Sequence, residues 1–167
     1  MLILGIDPGS GSTGYGVVEC RAGRLRALAQ GAISPPADLP FLLRLPYIAA
    51  AIEALVRKVA PEGAAIEDVF HARNSRVALQ LGHVRGAALL PLLQARVPIF
   101  EYSPRLVKKA VTGSGAAEKE QVRRMVRLLL GLGEAPLSLD ASDALAVAIC
   151  HAHSAPYQKM REAAASL

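Results

Sequence analysis

Residues 2–20 constrain the fold more than any other stretch. An apolar run, LILGID, meets a turn of glycine and serine, PGSGSTG, and resumes as YGVVEC. Two such runs about a Gly-rich turn read as a buried strand and its hairpin partner. Side chains alternate along a strand, so Leu4 and Ile6 share one face while Ile3, Gly5 and Asp7 share the other. Asp7 is then a charge at the end of an apolar strand, where sites on α/β sheets are built. A plain turn accounts for it equally well, because Asp before Pro-Gly opens turns.

The rest of the chain alternates strand and helix signals. A strand is expected over 25–33, a loop over 34–40 and a helix over 47–59, with Pro46 in its first turn because an interior proline costs about 3 kcal/mol. Further strands are expected over 64–70 and 97–102, and helices over 75–95, from Ser103 and Pro104 onward, over 117–130 and over 139–153. This order predicts an α/β domain: a mixed sheet with helices on both faces, over residues 1–155, followed by a tail at 156–167. A chain of 167 residues with 52% hydrophobic and 20% charged residues suits one globular domain.

No stretch reaches the roughly 18 apolar residues of a membrane span, so no membrane association is expected. The N-terminus opens into a strand without a basic leader, and Cys20 and Cys150 match no metal or redox spacing, which suits the reducing cytoplasm. The net charge of +5 favours a polyanionic partner such as nucleic acid.

The acids are more specific than the bases. Glu67 lies within an apolar strand, and buried carboxylates are rare unless paired or metal-bound. Asp68 points to the opposite face. Asp140 and Asp143, three apart in SLDASDALAVAI, share one face of a helix seated by Ala144, Leu145, Ala148 and Ile149. Singly, each has an ordinary explanation: a salt bridge for Glu67, complementation of the helix dipole for the aspartates. Together, acids delivered from two strands and a helix resemble the oxygen ligand set of hard cations such as Mg²⁺. Two such ions about 3.5–4 Å apart activate water and steady the leaving oxygen of a phosphodiester. The rival reading of DPGSGSTG as a nucleotide cradle needs two lobes, and the chain has length for one.

The blocks ILGIDPGSGSTGYGVV, AIEDVF, ALQLGHVRG, IFEYSPRLVKKAVTGSGAAEKEQVRRMV and DASDALAVAICHAH, in this order, resemble the RuvC family of bacterial Holliday junction resolvases over about residues 2–155. The resemblance implies an RNase H-like fold with a five-stranded mixed sheet. It implies four catalytic, metal-holding carboxylates, which fall on Asp7, Glu67, Asp140 and Asp143. It further implies a homodimer that places symmetric nicks in four-way junction DNA during recombination and repair, using two Mg²⁺ ions per site with Mn²⁺ as a second candidate, and RuvA and RuvB as branch-migration partners. Two other readings stand beside it: an RNase H-like nuclease for another branched or RNA-containing duplex, and a junction-binding module without catalysis.

For DNA contact, the helix over 117–130 sets an apolar stripe, Val122, Met125, Val126 and Leu129, against a basic ridge, Lys119, Arg123 and Arg127. A Glu120–Arg124 pair on a solvated face is the ordinary alternative. The resemblance adds Lys108 and Lys119 near the scissile strand, with Arg105 and Lys109 as weaker candidates, and gives Phe70 a stacking role on an unpaired base. His71 and Arg76 depart from the family pattern and add cationic character near the DNA. Gly82 and Gly86, one turn apart, suggest close helix packing, within the chain or across a dimer. Cys150, His151 and His153 fit no zinc spacing.

Overall fold

The computed structural model describes residues 1–68 and 74–165, with side-chain surroundings to residue 155. Its elements are β1 (Leu2–Asp7), β2 (Thr13–Arg21), β3 (Arg24–Ile33), α1 (Phe41–Val59), β4 (Gly63–Glu67), α2 (Ser75–Gln94), β5 (Ile99–Tyr102), α3 (Pro104–Thr112), α4 (Lys119–Leu130) and α5 (Leu139–Ala165). The strands form one sheet ordered β3-β2-β1-β4-β5. β1 and β2 pair antiparallel, as do β2 and β3, while β4 and β5 extend the other side in parallel. The parallel half needs crossovers, and α1 and α2 supply them. The β2–β3 hairpin closes on Ala22 and Gly23, both at positive φ, the backbone that tight two-residue hairpins demand.

Two apolar layers enclose the sheet. Leu4, Ile6 and Val17 pack against Ile48 and Ile52 of α1 and Val84, Ala88 and Leu92 of α2. Ile3, Val18 and Ala65 pack on the opposite side against α3, α4 and α5. The alternation read in β1 is therefore the partition between the two cores. α5 is apolar all round over Ala144–Ile149 and lies between the sheet and α3–α4, so Leu145 and Ile149 are fully buried. Each such side chain contributes about 1.5–3 kcal/mol by leaving water.

Several boundaries differ from the sequence expectation; β4 ends at Glu67 and α4 begins at Lys119, and three others bear on the fold. α1 begins at Phe41, so Pro46 sits inside it and not in its first turn. The carbonyl that loses its N–H partner is that of Leu42, an exposed residue, where an unpaired backbone group costs less than in the core. α5 stays helical to Ala165, through most of the stretch expected as a tail, because QKMREAAA consists of good helix formers. The 97–102 strand is shorter, beginning at Ile99. Ser103 and Pro104 behave as read: the Ser103 hydroxyl accepts a bond from the Leu106 N–H and Pro104 opens α3.

Candidate active site

β1 and β4 run in register from Ile3↔Gly63 to Ile6↔Ile66. One residue further on, Asp7 and Glu67 leave adjacent parallel strands at the same end, on the face toward α5. This follows from the pleat, because Ile3 and Ala65 belong to the core on that face. The start of α5 is laid over the same end. Its backbone presses directly on β1 and β2, because Gly5 and Gly14 have no side chain. A methyl group on Gly5 would come 2.0 Å from the Ala144 carbonyl oxygen, and one on Gly14 would come 2.0 Å from that of Asp140. The Ser138 hydroxyl accepts from the Ala141 N–H and holds the first turn of α5. Asp140 and Asp143 thereby reach the ends of the strands.

The four acids feel one another. Asp7 is raised from 3.8 to about 7, first by burial and then by the charges of Asp143, Glu67 and Asp140. Glu67 is raised by burial and by Asp143, while Lys119 and Lys108 pull it down. Lys119 Nζ lies 3.4 Å from Asp143 Oδ2, and this contact raises the lysine. The sequence-read acids are thus one electrostatic unit, with Lys108 and Lys119 beside it.

Among the described residues, no three Asp, Glu, His or Cys side chains stand together as a ready-made metal cage. Donor chemistry and charge nevertheless fit a hard divalent cation: four carboxylates, no soft ligand, and an Asp7 raised to about 7 by burial first and by the neighbouring acids second. His151 and His153 make their contacts elsewhere. His151 is buried, shares a 2.6 Å hydrogen bond with Tyr102 Oη and stacks on Phe100. Burial lowers its pKa and keeps it neutral. His153 Nδ1 lies 3.2 Å from the Ala110 carbonyl.

The basic residues divide. Lys108 is half-buried on α3, and Lys119 opens α4. Arg123 pairs with Glu120, so the acid one helical turn back goes to Arg123 and not to Arg124. Arg127 donates to the carbonyls of Gly133 and Ala135 and ties down the loop after α4. Arg76 is exposed in the first turn of α2 and lines a cleft of about 320 Å³ with Phe41, Leu79 and His83. Phe70 and His71 lie outside the described residues. Arg105 and Lys109 line a separate groove with Ser103 and Gly115. Sequence reasoning missed Arg85, which donates to the Glu67 carbonyl at 2.5 Å and pairs with Glu101 at 3.0 Å, bracing the strand that bears Glu67. A lone arginine on a helix gives no advance sign of such a link.

The family model for the crossover junction endodeoxyribonuclease RuvC matches residues 3–151. The crossover junction endodeoxyribonuclease RuvC of Moorella thermoacetica is 50% identical over 159 residues, 95% of this chain and 95% of its own. That of Chloroflexus aurantiacus is 47% identical over 156 residues, 93% of this chain and 95% of its own. Among solved structures, Thermus thermophilus RuvC in complex with Holliday junction substrate matches with a TM-score of 0.88 at 37% identity, over 95% of this chain and 96% of that one. The yeast mitochondrial Holliday junction resolvase Ydc2, at 11% identity and a TM-score of 0.70 over 95% of this chain and 80% of its own, shares the fold. The architecture is therefore RNase H-like, and divalent-metal-dependent nuclease chemistry goes with the family. With the fold, the order of the motifs and identity over most of the length in agreement, the chain belongs to the crossover junction endodeoxyribonuclease RuvC family.

Proposed function

We propose that this protein is a homodimeric, Mg²⁺-dependent endonuclease that resolves Holliday junctions by symmetric paired nicks in recombinational repair. The convergence of Asp7, Glu67, Asp140 and Asp143 on one end of the sheet, felt as the raised pKa of Asp7, carries this reading. Asp7, Glu67, Asp140 and Asp143 would together hold two such ions. When bound, such ions make water a nucleophile and neutralise charge on the leaving oxygen. Lys108 and Lys119 supply positive charge at the rim for a phosphate backbone. Arg76, Arg123, Arg127 and Phe70 are assigned to the DNA surface further out.

The dimer has a surface on α2. Leu79, Gly82, Gly86, Leu90 and Leu93 recur at helical spacing along one stripe. The three leucines are exposed, and among the described residues nothing lies within 4 Å of a methyl placed on either glycine. Intrachain packing therefore does not account for the glycines. A smooth apolar stripe suits the same stripe of a second copy about a two-fold axis, the symmetry that paired cuts in a two-fold substrate require. The cytoplasm is the proposed compartment; among the described residues no helix is long and apolar enough to cross a membrane. RuvA and RuvB are the proposed branch-migration partners.

The test is a labelled synthetic four-way junction beside a linear duplex of the same sequence, both with Mg²⁺. Paired nicks in the junction alone, absent in Asp7→Asn, are the expected result. Tight junction binding without cutting, with Mn²⁺ as well, would leave a recognition module.

A further inference from the structure

We infer that Lys119 is an exchangeable counter-charge for the acidic site, holding Asp143 while divalent cations are absent and giving it up to serve the DNA backbone when they are present. The inference rests on the metal-holding role proposed above for the four carboxylates.

The contact is specific yet weak. Lys119 Nζ meets Asp143 Oδ2 at 3.4 Å, between helices and 24 positions apart. The lysine side chain is 73% exposed. An ion pair with one partner so exposed is worth at most about 1 kcal/mol, so it is readily surrendered to a doubly charged competitor. Its electrostatic reach is wider than the contact, because Lys119 also lowers Asp7 and Glu67. A single ammonium thus serves three of the four acids.

The position of Lys119 is locally unfavourable. It is the first residue of α4, after an N-cap, Glu118, that makes no side-chain capping bond. A cation there opposes the helix dipole by roughly 0.3–1 kcal/mol. Such breaches of local preference are expected where function imposes the residue. Lys108 is the useful contrast. It acts on Glu67 electrostatically but forms no ion pair among the described residues.

The experiment measures Mn²⁺ binding to the full chain without DNA, by the electron paramagnetic resonance of free Mn²⁺. The proteins are wild type, Lys119→Met, Lys119→Arg, Lys108→Met and Asp143→Asn. Removal of a competing ion pair of this strength predicts that Lys119→Met binds Mn²⁺ about two- to fivefold tighter. Lys119→Arg should stay close to wild type and Lys108→Met should gain clearly less, while junction cleavage by Lys119→Met falls. Equal gains for both methionine variants, or no gain for Lys119→Met, would overturn the exchange. Asp143→Asn separates the two levels of failure. If it loses Mn²⁺ while Lys119→Met gains nothing, the metal site stands and the exchange is wrong. If it too binds as wild type does, the metal-site reading fails with the exchange.

Discussion

Gly14 lies directly beneath Asp140: a methyl group on the glycine would stand 2.0 Å from the aspartate's carbonyl oxygen. Because that oxygen is backbone, the clash has no flexible side chain to absorb it, and α5 itself must lift. Gly14→Ala should therefore cost about 2–4 kcal/mol and move Asp140 and Asp143 away from Asp7. Urea unfolding checks the first effect. The second predicts that single-turnover cleavage falls more than junction affinity, and equal losses in both would contradict it.

The raised pKa of Asp7 gives a pH signature in the metal-free protein. Between 3.8 and about 7 the folded chain holds a proton that the unfolded chain has released. Raising the pH therefore favours unfolding: this contribution is intact below 3.8 and lost as pH passes about 7. Asp7→Asn removes the penalty. Discounted for partial exposure, the gain at pH 8 is about 2 kcal/mol, or roughly 4–8 °C in Tm, and it vanishes toward pH 4. Thermal unfolding in chelator across this range compares the two proteins, and a stabilisation that does not grow with pH would refute the account. Glu67 titrates in the same direction.

The α2 stripe separates folding from assembly. Gly86→Ala should raise the Tm of the separated protomer by about 2–4 °C, since a helical glycine gives up about 0.5–1 kcal/mol to alanine and the added methyl meets nothing among the described residues of one protomer. Gly86→Arg should leave the fold intact and halve the mass in solution, measured by light scattering. A dimer that tolerates arginine there would place the interface elsewhere.

Lys108 should act as a phosphate contact. Lys108→Gln is expected to lower the slope of log affinity against log salt by about 0.9 with a catalytically silent junction complex. An unchanged slope would remove it from the DNA surface.

The site was largely legible in the sequence because its signals are local. Alternation placed Asp7 on the face of Ile3, three-residue spacing joined Asp140 to Asp143, and the apolar setting of Glu67 marked it as unusual. What escaped depends on tertiary contact. The grip of Lys119 on Asp143, the bond of His151 to Tyr102 and the brace from Arg85 to the Glu67 carbonyl all join distant elements. Pro46 escaped for another reason: its cost is real in a buried helix and smaller where the unpaired carbonyl belongs to an exposed residue, here Leu42.

The parallel pairing of β1 with β4, and the burial of α5 against both, give the acids an order of arrival during synthesis. Asp7 leaves the ribosome early, Glu67 midway and Asp143 only after α4 has been made. A nascent chain thus exposes its basic helices and strands before it owns a complete set of carboxylates. With the four acids in the roles proposed for them, such a chain would meet DNA before it could cut it, because α5 brings Asp140 and Asp143 last.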